Sequence, residues 1–191
     1  PFDGEEVIDI LMEHPACSRF VAGKMLRFFS HPEPTREEIE SLAATMRDSG
    51  MSIRSTLEAL FRAPAFRRVS SQRALVRSPV EFVVGALAAA GVEDVPGFVH
   101  ASLDRMGQIL FRPPSVKGWP SGTGWLSSGA VVERLSVARE VAQRASAAAA
   151  DVILDTAFEG VAPRGLAGAI EKLDGKERVA FILGSPAFQT A

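Results

Sequence analysis

The sequence predicts an all-α fold: a single-domain, irregular multi-helix bundle around a buried central helix at about residues 80–90, with one long Gly/Pro/Trp-rich loop. Three observations lead there. Apolar residues recur at helical spacing through most of the 191 residues. Helix-start signatures punctuate the chain, among them Thr35 with Glu38 and the run Ser78-Pro79-Val80-Glu81. No stretch sustains the alternation or the β-branched enrichment of a strand.

Composition sets the bounds. With 47% hydrophobic and 23% charged residues the chain can bury a sizeable core, and one helical domain over 1–191 is expected, with 151–191 a candidate C-terminal subdomain. The formal net charge of −2 gives no bulk attraction for nucleic acid. There is no apolar run of about 18 residues, the length a membrane span needs. Cys17 has no partner for an internal disulfide and lies in an apolar helical stretch, where a buried, inert thiol is expected. A chain starting at Pro1 without Met reads as a fragment or a processed product.

The elements follow in order. Glu5 to Glu13 is helical, with Val7, Ile8, Leu11 and Met12 on one side, and His14-Pro15 ends it because the residue before proline leaves the α region. The next helix opens at Pro15 or Ala16, with Cys17, Val21, Met25 and Phe28 in an apolar arc flanked by Ala22, Leu26 and Phe29, opposite Arg19, Lys24 and Arg27. Thr35 caps a third helix with Ile39, Leu42, Ala43 and Met46 inward, ending at Gly50. Ser52 caps a fourth through Ile53, Leu57, Leu60 and Phe61, ending at Ala63-Pro64, and a polar linker follows around Val69 to Arg73.

Val80 to Ala90 has Glu81 as its only charge, so it is expected to be covered on every side. Another helix is predicted from about Pro96 to Leu110, with Phe98, Leu103, Met106 and Leu110 at core spacing. A long one runs from Ser127 or Ser128 to about Ala150, with Val131, Leu135, Ala138 and Ala142 inward and Glu140–Arg144 as an exposed pair. Short helices over Arg164–Leu173 and Lys176–Leu183 complete the chain. Ala63-Pro64-Ala65-Phe66 and Ser185-Pro186-Ala187-Phe188 echo one another as two helix-end corners, each plugged by a phenylalanine.

Met106 to Trp125 obeys neither helical nor strand periodicity. It holds both tryptophans, and long irregular loops within compact domains are usually functional or disordered. Gly118, Gly122 and Gly124 permit close backbone approach, Trp119 and Trp125 offer flat apolar platforms, and Gln108, Arg112 and Lys117 add polar contacts. Such a set suits a glycan or a peptide; the competing structural role is a plug over the end of the bundle. His14 is a candidate neighbour of that loop, although an imidazole at a helix mouth commonly caps backbone N–H groups. Arg19 offers a guanidinium to an anion, or pairs with a nearby carboxylate on a solvated face. The candidate binding surface is therefore His14, Arg19, Gln108, Arg112, Lys117, Trp119 and Trp125.

Catalytic and metal chemistry find little support. There is no strand-to-helix Gly-x-Ser-x-Gly elbow, and the adjacent carboxylates Glu5-Glu6, Glu37-Glu38 and Glu93-Asp94 splay apart on helices. His14, His31 and His100 are scattered, so no metal and no cofactor is expected.

Several motifs occur together in order: His14-Pro15-Ala16 with Arg19-Phe20-Val21-Ala22 and Lys24-Met25-Leu26; Ser78 to Val84; Met106-Gly107-Gln108, Phe111 and Pro113-Pro114; Lys117-Gly118-Trp119-Pro120 and Trp125-Leu126; and Ser185 to Gln189. In this order the chain resembles the carboxy-terminal part of the bacterial domain of unknown function family 1800. The resemblance covers nearly the whole chain. It implies a longer parent protein, often exported or envelope-associated, whose gene commonly neighbours that of a second uncharacterised family resembling sulfatases. It transfers no activity, and family members often carry Thr or Ala at Cys17, which argues against a catalytic thiol.

The expectation is thus a non-catalytic helical binding or assembly domain that uses the 107–125 loop on a protein partner, such as the neighbouring gene's product, or on a glycan. The alternative is the C-terminal part of a hydrolase-like enzyme whose other catalytic groups lie further toward the amino terminus.

Overall fold

A computed structural model of the chain describes residues 2–68, 71–146, 148–160, 162–163 and 165–190. The described residues hold ten α-helices and no strand; one isolated antiparallel bridge joins Val76 to Thr190. The all-α expectation stands. The chain divides into two compact units, Pro1–Leu75 and Val76–Ala191, each with its own apolar core.

The first unit contains α1 (Gly4–Glu13), α2 (Pro15–Phe29), α3 (Arg36–Asp48) and α4 (Ile53–Arg62). Its caps follow the sequence closely. Thr35 and Glu38 form the reciprocal capping box that starts α3, and Ser52 Oγ accepts the Ser55 N–H at the start of α4. A second box, Asp3 with Glu6, starts α1. Ala22, Met25, Leu26, Leu42, Ala43, Met46 and Leu60 make the core. The expected apolar arc of α2 is only half right. Met25 and Leu26 are buried, but Phe28 is exposed and Cys17 is half-buried, because Ser18 and Gly23 sit at the α3 contact instead. Small side chains at these positions bring the helices close. Helix α1 buries none of its residues, so Val7, Ile8, Leu11 and Met12 share an exposed face.

The second unit contains α5 (Pro79–Ala89), α6 (Phe98–Arg105), α7 (Ser128–Arg144), α8 (Ala149–Phe158), α9 (Ala167–Ile170) and α10 (Gly175–Gly184). Helix α5 contributes Phe82, Val83, Ala86 and Leu87 to the core but is not covered on every side. Glu81, Val84 and Ala88 form an exposed strip, with Val84 57% accessible. An all-apolar wheel shows what a helix tolerates around it, not what surrounds it.

Helix α6 is shorter than predicted. It stops at Gly107, whose φ of +87° lets Gly107 N–H reach the Asp104 carbonyl and Gln108 N–H reach that of Leu103, leaving Leu110 exposed. The long helix predicted to Ala150 is two helices. Ala145 turns extended, and α8 begins at Ala149 with no side-chain cap, so an alanine-rich run hid the break. The predicted starts at Val69 for the linker and at Arg164 for a helix lie outside the described residues, whereas α10 falls close to its predicted span. Both small-Pro-Ala-Phe corners are single 3-10 turns, Pro64–Arg67 and Pro186–Gln189, with Phe66 partly buried and Phe188 fully so.

Half of the predicted inward face of α7 holds: Ala138 and Ala142 are buried. Val131 and Leu135 are half-exposed, and the buried set is Ala130, Arg134, Val137, Ala138, Val141 and Ala142. The unexpected member is Arg134, 2% exposed. Its guanidinium donates from Nη1 to Gln189 Oε1 at 2.9 Å and from Nη2 to the Arg77 carbonyl at 2.7 Å, and it lies 5.0 Å from the centre of the Phe82 ring. Gln189 Nε2 in turn donates to the Leu183 carbonyl at 3.0 Å, and Arg77 N–H donates to the Gln189 carbonyl at 2.9 Å. Burial pushes the Arg134 pKa down to about 10, so it stays charged at neutral pH.

Replacing Arg134 by Ala is expected to lower the unfolding free energy by about 3–4 kcal/mol, since hydrogen bonds from a charged donor contribute roughly 1.5–3 kcal/mol each. Arg134→Met, which keeps the stem over Phe82, recovers part of that loss. Urea unfolding of the three proteins measures both.

Candidate functional site

The loop between α6 and α7 is anchored at its ends and bare in its middle. At its start Met106 is buried, and Gln108 Oε1 accepts the Val80 N–H at 2.9 Å, completing the cap of α5 begun by Ser78 and Glu81. At its end the 3-10 turn Gly122–Trp125 buries the Trp125 ring to 5% exposure, and Ser127 Oγ accepts the Ala130 N–H to begin α7. A bidentate ion pair locks the two stems together: Arg105 Nε and Nη2 donate to the Glu133 carboxylate at 2.8 and 2.7 Å. The Arg105 hydrogen bond holds the Glu133 carboxyl below its ordinary range, and Glu133 raises Arg105 in return.

Between these anchors every residue from 109 to 117 is exposed. Two tight turns shape the tip. Arg112 N–H donates to the Ile109 carbonyl at 3.1 Å and Gly118 N–H to the Ser115 carbonyl at 3.0 Å, with Pro113-Pro114 stiffening the path between them. Phe111 takes the third position of the first turn with φ +61°, where glycine or asparagine is favoured, and it is 97% exposed. Val116 is fully exposed beside Lys117.

The seven candidate residues separate accordingly. Arg112 and Lys117 lie on the exposed tip. Gln108 is spent on the α5 cap, and Trp125 is a buried plug, which corrects its reading as a ligand platform. Trp119 is half-buried, its indole Nε1 enclosed without an acceptor among the described residues. His14 and Arg19 belong to the first unit. His14 Nδ1 accepts the Ala16 N–H at 3.1 Å, the capping role, and Arg19 Nε donates to Glu40 at 2.8 Å, the carboxylate pairing. Arg47 also holds Glu40, at 2.9 Å, and the pair of cations lowers that carboxyl's pKa. Phe111 and Val116, the two fully exposed apolar residues of the tip, are not singled out by the sequence. The available signal was a Leu-Phe pair followed directly by Arg-Pro-Pro, where no helix could bury it.

A second feature had no forewarning in the sequence. Helices α7 and α10 run antiparallel, Gln143 opposite Lys176 and Leu135 opposite Gly184, and with Pro163, Leu166 and Leu173 they flank a groove of about 850 Å³. Its α7 and α10 walls lie more than thirty positions apart, so no local pattern reports it. Among the described residues no three His, Cys, Asp or Glu side chains gather as a metal would need, and no helix is long and apolar enough to cross a membrane.

The family model described as "Protein of unknown function (DUF1800)" matches residues 1–190. The chain belongs to the DUF1800 family. No curated protein and no solved structure matches it. The DUF1800 match spans both units, and so includes the α1–α4 unit as well as the loop and the groove.

Two outcomes are expected from the anchors. Glu133 has a depressed pKa, so its pairing with Arg105 contributes stability that is full above the ordinary carboxylate value of 4.5 and is lost as pH falls below it. Arg105→Ala should therefore flatten the decline in urea midpoint between neutral and acid pH. Trp125→Ala should cost about 3–5 kcal/mol, as for a buried aromatic, with a smaller loss for Trp119→Ala in thermal unfolding.

Proposed function

We propose that this DUF1800 chain is a binding and assembly module, and that the loop tip 109–117 seats on a protein partner within a larger exported or envelope-associated assembly. One observation carries the reading. Phe111 occupies a backbone conformation that costs a bulky residue on the order of 1–2 kcal/mol, and its ring is buried against nothing. Neither turn geometry nor core packing favours phenylalanine there; insertion into a partner's pocket does, as exposed aromatic anchors do at interfaces.

The surroundings fit that role. The tip is held by its own turn hydrogen bonds and by Pro113-Pro114, so little conformational entropy is lost on docking. Phe111 and Val116 are purely apolar, and Arg112 and Lys117 flank them, which favours an apolar pocket with an acidic rim. A glycan is the weaker fit, because Trp125 lies inside and Trp119 is half-buried. His14, Arg19 and Gln108 take no part in this reading.

Phe111→Gly separates function from stability. Glycine relieves the left-handed strain, so the melting temperature should hold or rise slightly, while partner capture from envelope extract, or by the neighbouring gene's product, should fall at least tenfold. A melting temperature lowered by several degrees would make Phe111 a structural residue, and undiminished capture would remove it from the interface. Retention on immobilised glycans by wild type but not the variant would redirect the proposal to sugars.

A further inference from the structure

We propose that the groove between α7 and α10 binds a long-chain carboxylate, its hydrocarbon chain along the groove and its head on Arg139. No residue of the 109–117 tip lines this groove, so the inference stands apart from the docking of the loop. Its volume of about 850 Å³ falls within the range of small-molecule sites. The lining is chiefly hydrocarbon, from Leu135, Leu166, Leu173, Ala180, Phe181 and Pro186. Leu135 and Phe181 are left half-exposed facing a concave space, an arrangement that a chain of methylenes would relieve by displacing water from both.

Charge selects the head. Of the α7 arginines, Arg134 is buried on Gln189 and the Arg77 carbonyl, and Arg144 pairs with Glu140 at 2.7 Å. Arg139 is exposed at the groove's edge and makes no ion pair among the described residues. Lys176 Nζ is tied to the Gln143 carbonyl at 2.9 Å, which closes one end with a second positive charge. Glu177 is the one carboxylate among the described lining residues, against Arg139 and Lys176, so these carry a net positive charge. A guanidinium grips a carboxylate with two parallel donors, and one that also lies along an apolar wall matches a molecule that is chain at one end and carboxylate at the other.

Fluorescence titration with cis-parinaric acid and with its methyl ester tests this. The wild-type chain should bind the acid at least tenfold more tightly than the ester. Arg139→Gln, a change at an exposed position, should bring the acid to the affinity of the ester, and Ala180→Trp should abolish both by filling the groove. Leu173→Trp serves as a second filling variant, with circular dichroism checking each fold. Phe111→Gly should leave all of these affinities unchanged, which keeps the groove separate from the loop. Equal affinity for acid and ester, a preference that survives Arg139→Gln, binding that persists in both filled variants, or no binding by wild type would each overturn the assignment.

Discussion

One buried guanidinium organises the second unit. Arg134 reaches from α7 to the backbone at Arg77, just before α5, and to the side chain of Gln189, in the last turn of the described chain. These segments come from opposite ends of the unit, and each has polar groups that the core would otherwise leave without partners. Arg134 supplies donors to both, and Gln189 passes the connection on to the end of α10. Phe82 lies beneath the Arg134 guanidinium and Phe188 beneath that of Arg77, one ring facing each cation. An arginine suits this place because its planar fork spans two acceptors while its weak hydration limits the cost of burial. On the same helix Val131 and Leu135 are half-exposed.

Leu135, outside the core, is a wall of the groove, and Arg139 lines it as well. Gly184 makes the arrangement possible, since a Cβ there would meet Leu135 Cδ2 at 2.9 Å. The loop is governed by a different constraint. Its stems are tied by Arg105–Glu133, Gln108 and Trp125, so its tip can hold an exposed phenylalanine in an unfavourable conformation without unravelling. Rigid support with a bare apolar tip is what the proposed docking role rests on.

The first unit shows the complementary economy of surface charge. Arg19, Arg47 and Glu40 join α2 to α3, and Arg47 also reaches the buried Ser18 at 2.9 Å. His31 lies between Ser30 and Glu38, its pKa lowered by burial and by Arg68. The residues that looked most like chemistry in the sequence, His14 and Arg19, are absorbed by such local pairings.

What the sequence alone determined is what short range determines. The all-α class, the capping boxes at Thr35 and Ser78, the glycine stop at Gly50, the proline starts of α2 and α5 and the His14 cap all rest on interactions within about one helical turn. Family membership was legible as well, from motifs in order. Tertiary structure alone decided the rest, because it depends on partners far away in the chain. Arg134 looks like a surface residue until Arg77 and Gln189 arrive beside it; Trp125 looks like a platform until it is buried. The groove exists only because α10 returns against α7, and the exposure of Phe111 is fixed by anchors on either side of it. Periodicity can say that a helix has an apolar face, but only the packed chain selects which residues that face includes.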